Sequence, residues 1–202
     1  MIKVPKASSY DKLRIKKAEV LSRKLNLSPN HMQSVLLENP SRAVAYHNSQ
    51  HCITVALYAY EMAVAHRLSL TSHQLLFLSA LYHDWDHTAS SGDDAANIER
   101  ALKHASCLNK KTDSTLSQNK IRRIIRLIKS THFPHPNPKN IEEKILQDAD
   151  LLQYNEPDAN KFIEGLAVET GHKISKETTK VFLANQHFNT EWAIQKIKKI
   201  TL

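Results

Sequence analysis

The sequence is poor in glycine and in cysteine. Three glycines occur among 202 residues, Gly92, Gly165 and Gly171, and a β-rich fold with many tight turns would need more of them. The two cysteines, Cys52 and Cys107, form neither a disulfide framework nor a metal-binding pair, and both lie in helix-like segments. We therefore expect a helical fold with free, buried thiols in a reducing, cytoplasmic compartment.

Long uncharged stretches are equally scarce. The longest lies between Arg42 and Glu61, and its length is close to that of a membrane span. Residues 47–51, HNSQH, stand in its middle, where hydrocarbon would penalise them heavily. We interpret the run as a buried helix that lines a polar site. The first seventeen residues contain no apolar region of the signal-peptide kind, so we expect neither export nor a membrane partner.

Negative charge is in short supply relative to positive charge. Lysine and arginine number 28 against 20 aspartate and glutamate residues, which gives a formal net charge of +8. Such an excess favours anionic partners such as phosphates, nucleotides or nucleic acid, although solubility alone would also explain it. Cationic residues near 119–129 form either a solvated helix face or a collar that steers a phosphorylated substrate, and the candidates for the collar are Arg122, Arg123 and Arg126. No recognised nucleic-acid-binding motif accompanies the charge, so nucleic acid is the less favoured partner.

Apolar residues recur at helical spacing almost throughout the chain, and no segment has the pattern of a strand. The predicted fold class is all-α, a single-domain helical bundle. Three prolines exclude a helix over residues 132–138, and residues 89–94 are expected to form a loop. The first expected helix runs from Ser8 or Ser9 to Leu25, and a short second helix ends at Glu38. Longer helices are expected over 42–67, from Thr71 to 83 or 84, and from the end of the loop to Leu108. Two more are expected over 119–129 and 141–154, and two or three follow Pro157.

Histidine and aspartate concentrate in three places along the chain. His47 and His51 are four residues apart on one predicted helix, so both project from the same face. Residues 83–87, HDWDH, carry four ionisable side chains at a predicted helix end. Asp148 and Asp150 stand in an otherwise apolar stretch, where a carboxylate is costly to bury unless it is paired or metal-bound.

Together these residues supply imidazole and carboxylate ligands. That mixed set suits Zn, Mn, Fe or Co, whereas Mg usually prefers oxygen ligands alone. A bridging carboxylate such as Asp84 would hold two metals on one phosphoryl group, and histidine is the natural proton donor near neutral pH. Taken singly, Asp86, His87 and Asp148 are explained equally well as helix-end charges or caps. For the whole set that explanation weakens, because several costly groups would be buried without a common purpose.

The order of these residues resembles a family signature. His51, then His83-Asp84, then Asp150 is similar to the H…HD…D signature of HD-domain metal-dependent phosphohydrolases. Residues 46–51, YHNSQH, resemble the YHNxxH motif of cyclic-nucleotide phosphodiesterases, and HDWDH resembles their HDxDH. Residues 97–99 and 124–132 also look like parts of small bacterial HD hydrolases.

This resemblance implies a role for each matching position. It implies His51, His83, Asp84 and Asp150 as the ligands of a first metal, with Asp84 shared with a second. It implies His47 as the general acid and His87 as its partner or proton relay. Secondary candidates for the site are His132, Glu99 and Asp86. The cofactor implied is a divalent metal, one or two ions of Mn, Zn, Fe, Co, Ni or Mg.

The function predicted is hydrolysis of a phosphate ester by an activated water, with a nucleotide mono- or diester as the favoured substrate. We expect one domain over residues 1–202, in which 42–154 form the core of the metal site and the helices of 156–202 wall the pocket. Two alternatives remain open. One is a non-catalytic HD-type module that binds a nucleotide or a partner, and the other is a basic helical protein that binds nucleic acid.

Overall fold

The computed structural model describes residues 8–89 and 94–198, and within these ranges the chain forms helices and turns with no strand. The prediction of an all-α fold is confirmed. A π-helical turn, Ser34–Glu38, continues α2, and a 3-10 turn, Leu152–Asn155, continues α8. The α-helices are α1 Ser9–Lys24, α2 Asn30–Gln33, α3 Ser49–Ala65, α4 Leu70–Tyr82, α5 Asp94–Ala105, α6 Leu108–Lys111, α7 Gln118–Lys129, α8 Ile141–Leu151, α9 Ala159–Thr170, α10 Lys176–Asn185 and α11 Glu191–Lys198.

Helices α3 and α4 form the centre of the described fold. Helix α3 packs against α4, α1 and α8, and α4 packs also against α7. Both helices are apolar on nearly all sides, as expected of helices enclosed by neighbours. Ile53, Met62, Phe77 and Leu81 are among their fully buried side chains, and each such burial stabilises the fold by about 1.5–3 kcal/mol. The result is a rigid pair whose ends can hold polar side chains in fixed positions.

The start of α3 differs from the prediction. A helix was expected from Arg42, but residues 41–48 form turns and bends, and α3 begins at Ser49. Asn48 caps it, because its side-chain oxygen accepts hydrogen bonds from the N–H groups of Gln50 and His51. The cap is uncharged, so nothing in the charge pattern marks the boundary. Its consequence is that His51 lies in the first turn of α3.

Other predicted boundaries are also corrected. Ser69, not Thr71, caps α4, since its hydroxyl accepts from the N–H of Ser72. Helix α5 ends at Ala105, short of the expected Leu108, and a separate helix, α6, begins at Leu108 and is anchored by the fully buried side chain of that residue. The expected loop over 89–94 falls mostly on residues 90–93, which lie outside the described residues.

Two further expectations concern the membrane and the cysteines. Every helix among the described residues is too short or too polar to cross a bilayer. Cys52 is a free, buried thiol, as predicted. The prediction that Cys107 is buried is wrong, because this residue is only half-buried just beyond the end of α5.

Asp148 fastens the C-terminal part of the chain to α8. Its carboxylate accepts hydrogen bonds from the N–H groups of Asn189 and Thr190, both 2.8 Å long, and from the hydroxyl of Thr190 at 2.6 Å. The same hydroxyl accepts from the N–H of Ala193 and so caps α11. Asp148 therefore serves an anchoring function, and its neighbour Asp150 points elsewhere.

Candidate metal centre

Four side chains from three helix ends meet at one point. His51 lies in the first turn of α3, His83 and Asp84 directly follow α4, and Asp150 lies in the last turn of α8. Nε2 of His51 is 3.1 Å from Nε2 of His83, 2.9 Å from Oδ2 of Asp84 and 3.2 Å from Oδ1 of Asp150. Nε2 of His83 is 3.1 Å and 3.3 Å from the same two oxygens. We call these four residues the central cluster.

Both imidazoles present the same nitrogen to the cluster. Nδ1 of His83 donates to the carbonyl oxygen of Ala80 at 2.8 Å. Nδ1 of His51 donates to the side-chain oxygen of Gln153. A neutral imidazole carries one proton, so in both rings that proton belongs to Nδ1 and the lone pair of Nε2 faces the carboxylates.

This arrangement fits a divalent cation. Oδ2 of Asp84 is buried without a hydrogen-bond partner, although two imidazole nitrogens lie 2.9 Å and 3.1 Å away. Those contacts have the length of hydrogen bonds, but neither nitrogen carries a proton when both rings are neutral and protonated at Nδ1. Metal–ligand bonds of about 2.1 Å separate neighbouring ligand atoms by about 3.0–3.4 Å. Four of the five separations given above, 3.1–3.3 Å, fall within that range, and the fifth, 2.9 Å, lies just below it.

The charges of the cluster lead to the same conclusion. Burial disfavours a charged ring at His51, but the carboxylates of Asp150 and Asp84 raise its pKa to about 9. The same carboxylates raise the pKa of His83, against the effect of burial. The pKa values of Asp84 and Asp150 lie well below their usual range, because the imidazoles outweigh the desolvation. Two carboxylates therefore require two positive charges, which either two imidazole protons or one divalent cation supplies.

A second group, formed by His47, His87 and Glu169, lies beside the central cluster. The rings of His47 and His87 stack with their centroids 3.7 Å apart, and the centroids of the His47 and His51 rings are 5.7 Å apart. Glu169, on α9, accepts from Nδ1 of His47 at 2.6 Å and from the backbone N–H groups of Tyr46 and His47. Burial alone would raise the pKa of Glu169, but these bonds lower it, so Glu169 is a carboxylate.

The two histidines of this group differ in what they can do. Asn97 donates to Nε2 of His87 at 2.8 Å, and the N–H of Ala89 lies 3.1 Å from its Nδ1. Burial lowers the pKa of His87 to about 4 despite the nearby carboxylate of Asp84. His87 is therefore neutral at neutral pH and supports the ring of His47. Nδ1 of His47 donates a hydrogen bond to Glu169, which leaves Nε2 of His47 available to donate or accept a proton.

The secondary candidates do not join either group. Glu99 is exposed on α5, and the residue of that helix that reaches the site is Asn97. His132 and Asp86 are half-buried. Within the described residues, the side chains of Glu99, His132 and Asp86 form no hydrogen bond or ion pair with the central cluster. The backbone of Asp86 has φ 61°, in the left-handed region, where the chain turns after α4.

His135 is a neighbour of the cluster that the sequence reasoning missed. Its Nε2 is buried without a hydrogen-bond partner and lies 3.7 Å from Oδ2 of Asp150. Gln147 holds the proline-rich segment in place by donating to the carbonyl oxygens of Pro136 and Ser130, at 2.8 Å and 2.9 Å. The sequence contains one indication that His135 is unusual, which is its position between two prolines in a segment that cannot be helical.

The predicted arginine collar lies away from the cluster. Arg123 forms a 2.7 Å ion pair with Glu142 at the start of α8. Eight residues of helix, or about 12 Å, separate Glu142 from Asp150. Arg122 and Arg126 are exposed on α7. Any effect of these arginines on a substrate is therefore long-range.

The turn that carries Asp84 is held from outside by Asn39. The side-chain oxygen of the fully buried Asn39 accepts from the N–H of Asp86 at 3.0 Å and from the N–H of Ser41 at 3.1 Å. The hydroxyl of Ser41 also lies 3.1 Å from the carbonyl oxygen of Asp84. The segment before α3 thus fixes the backbone after α4.

Comparison with known proteins places the cluster in a family. The family model described as "HD domain" matches residues 48–155, which is more than half of the chain. The chain belongs to the HD-domain family. The resemblance predicted from the sequence is thereby confirmed, and the matched segment of this HD domain contains all four residues of the central cluster. Within the described residues, His51, His83 and Asp150 also form one of the groups whose atoms lie close enough to hold a metal ion.

A likeness of fold extends beyond the family segment. The structure of LmjPDEB1 in complex with IBMX is similar to this HD domain with a TM-score of 0.55 and 15% sequence identity. The alignment covers 80% of this chain and 65% of LmjPDEB1, so the chain spans about two thirds of that protein's length at most. At this identity the likeness establishes the fold alone. No curated protein matches the sequence at a significant level.

Proposed function

We propose that this HD domain is a metal-dependent phosphohydrolase. The observation that carries the proposal is the central cluster, in which Nε2 of His51 and Nε2 of His83 each lie 2.9–3.3 Å from one oxygen of Asp84 and one oxygen of Asp150, beside a histidine held by a carboxylate. Membership of the HD-domain family and the fold shared with LmjPDEB1, a phosphodiesterase by its name, support it.

The residues that would hold the cation are those of the central cluster: His51, His83, Asp84 and Asp150. Two imidazole nitrogens and two carboxylate oxygens suit Mn, Zn, Fe, Co or Ni, and Mg less well. When bound, such a cation supplies positive charge to phosphoryl oxygens and makes water more acidic. The second oxygen of Asp84 is the candidate for sharing with a second ion.

His47 would donate the proton to the leaving oxygen. Because its Nδ1–H group donates a hydrogen bond to Glu169, a second proton on Nε2 would make His47 an imidazolium next to a buried carboxylate. As water adds to phosphorus and the P–O ester bond breaks, that Nε2 proton would pass to the departing oxygen, and the proton that the water loses would go to solvent, from which His47 is protonated again. His87, neutral and stacked on the ring, would hold the donor in its plane.

The substrate we propose is a small phosphorylated molecule, with a nucleotide mono- or diester as the favoured class. The net charge of +8 supports an anionic substrate. We also propose that residues 42–154 form the core of one domain and that residues 156–202 wall its pocket. The contact from Glu169 on α9 to His47 supports this division. The free thiols of Cys52 and Cys107 support a cytoplasmic location.

The decisive test combines metal analysis with a substrate screen. The purified protein is subjected to elemental analysis and then assayed on chromogenic phosphate esters and nucleotides with added Mn, Co, Ni, Mg or Zn. Asp84→Ala is expected to reduce turnover at least about 100-fold, because it removes a ligand and its charge. Arg123→Ala, which breaks only a partly exposed ion pair, is expected to stay within about threefold.

Three outcomes would reject the proposal. Full activity in Asp84→Ala would exclude this mechanism. Metal or nucleotide binding without hydrolysis of any substrate would indicate a binding module. Binding to generic DNA or RNA that falls steeply with salt and ignores chelators would indicate a nucleic-acid-binding protein.

A further inference from the structure

We propose that Gln153 is a positioning residue that fixes the ring of His51 in its metal-binding tautomer and so sets the affinity of the centre. This inference rests on the proposed function in so far as the central cluster holds the ion. Gln153 lies in the 3-10 turn after α8 and has no exposed surface. Its amide oxygen accepts from Nδ1 of His51.

The orientation of the Gln153 amide is determined by its neighbours. Its nitrogen donates to the backbone carbonyl oxygen of Asp150 at 3.3 Å and to the hydroxyl of Tyr46. A backbone carbonyl can only accept a hydrogen bond, so the amide nitrogen must face it and the amide oxygen must face His51. Tyr46 is free to accept, because its own proton can go to the hydroxyl of Tyr154, 2.9 Å away.

The tautomer of His51 follows from this orientation. An oxygen next to Nδ1 requires a proton on Nδ1, and the lone pair of Nε2 is then directed at the cluster. A metal-binding histidine held in this way through its other nitrogen loses roughly 10–100-fold in metal affinity when the partner is removed. The amide adds no charge, so the balance of two carboxylates against one divalent cation is kept.

Gln153 also ties the parts of the site together. Through its two polar atoms it joins His51 on α3 to the backbone of Asp150 on α8, and it reaches Tyr46, which directly precedes His47. One side chain that touches no substrate thus links two ligands and the segment of the proposed proton donor. Truncating it is expected to affect the metal more than the fold.

The test measures metal affinity directly. Metal-free protein is titrated with Zn or Mn against a chromogenic chelator, for the wild type and for Gln153→Met, which keeps the size but loses all three hydrogen bonds. The matched control is Gln195→Met, the same change at an exposed position on α11. We expect affinity about 10–100-fold lower in Gln153→Met and unchanged in the control. Gln153→Glu still accepts a hydrogen bond from Nδ1 of His51, and its metal affinity is expected to be roughly tenfold higher than that of Gln153→Met, or more.

A second readout separates positioning from a structural role. In the Zn-loaded protein the Nδ1 proton of His51 should give a slowly exchanging downfield proton resonance, which Gln153→Met loses and Gln153→Glu keeps. If Gln153→Met does not fold, Gln153→Asn, whose arm is one methylene shorter, takes its place against Gln153→Glu.

The failure of this inference is distinguishable from that of the proposed function. If the variant that lacks the bond binds metal within about threefold of wild type and still shows the His51 resonance, the role proposed for Gln153 is wrong. Failure of Gln153→Glu to recover either the affinity or the resonance would overturn it as well. Wild-type protein that binds metal through the cluster but hydrolyses nothing would refute the proposed function and leave Gln153 in its role.

Discussion

Nδ1 of His47 lies 2.6 Å from Oε2 of Glu169, which is 122 residues further along the chain. The other oxygen of Glu169 accepts from two backbone N–H groups, those of Tyr46 and His47. The carboxylate is therefore fixed before any substrate arrives. It orients the His47 ring by accepting the hydrogen bond from Nδ1.

Replacement of Glu169 by Gln tests this relationship. The amide keeps its size but loses the negative charge, so we expect kcat to fall about 10–100-fold while the metal content stays constant. Glu164→Gln, an exposed position on the same helix, is the control. An unchanged kcat would show that Glu169 does not act through His47.

Gly165 allows α9 to approach His47 closely. A Cβ at this position would lie 2.4 Å from the carbonyl oxygen of Ala45 and 2.9 Å from its carbon, and backbone atoms cannot rotate away. Gly165→Ala is therefore expected to displace α9, to lower the free energy of unfolding by about 1–3 kcal/mol and to reduce turnover.

Gly171→Ala is the comparison for that variant. Gly171 has φ +68°, and a Cβ added there would meet no atom within 4 Å. The substitution should therefore cost about 1 kcal/mol through backbone strain and leave turnover nearly unchanged. Urea unfolding and kcat measure both variants. Equal loss of activity in the two would contradict a specific role for the close approach at Gly165.

His135 is predicted to orient Asp150. The imidazole stands 3.7 Å from Oδ2 of Asp150, the oxygen that does not face His51 and His83. His135→Ala is expected to weaken metal binding about tenfold, because the carboxylate loses a partner. His132→Ala, three residues earlier, should change affinity by less than about twofold. Chelator competition on both proteins decides which of the two histidines belongs to the site, and the reverse order of effects would assign it to His132.

The stability of the protein is expected to depend on pH differently with and without metal. The carboxylates raise the pKa of His51 from 6.5 to about 9, despite burial. A group with a raised pKa in the folded state stabilises fully below its unfolded value and loses that contribution as pH rises through the folded value. The metal-free protein should therefore lose stability between pH 6.5 and about 9.

Metal changes this dependence, because a bound cation replaces the imidazole protons and becomes easier to bind as they leave. The difference in Tm between protein with Mn and protein with chelator should widen from pH 6.5 to about pH 9. Thermal unfolding at several pH values measures it. A metal-free protein that gains stability over this interval would disprove the charge balance assigned to the cluster.

Local chemistry explains which site residues the sequence could reveal. Asp150 is a carboxylate in an apolar stretch, a costly placement that stands out without any knowledge of the fold. His51, His83 and Asp84 stand out because they belong to short polar blocks, HNSQH and HDWDH, beside apolar helical segments. The fold brings Nε2 of His83 to within 3.3 Å of the Asp150 carboxylate. The helix boundary at Asn48 was harder to predict, because an uncharged cap in an uncharged run gives no contrast.

The residues that were missed depend on tertiary contacts. Glu169 is an ordinary helical glutamate until α9 packs against residues 45–47. His135 becomes relevant only because Gln147 holds its loop over α8. Gln153 had a local signal, since it follows Asp150 by three residues and therefore shares its helix face, but an uncharged amide does not attract notice as a carboxylate does.

The hydrogen bond that the side-chain oxygen of Asn39 accepts from the N–H of Asp86, in the turn after α4, has a consequence for how this protein would respond to random substitution. The amide that shapes the backbone around Asp84 belongs to a segment more than forty positions earlier, and it touches neither the ligand atoms nor the proton donor. A mutational scan scored by turnover would therefore place position 39 among the most sensitive positions. Asn39 would then be mistaken for a catalytic residue, although it acts only by holding the backbone near Asp84.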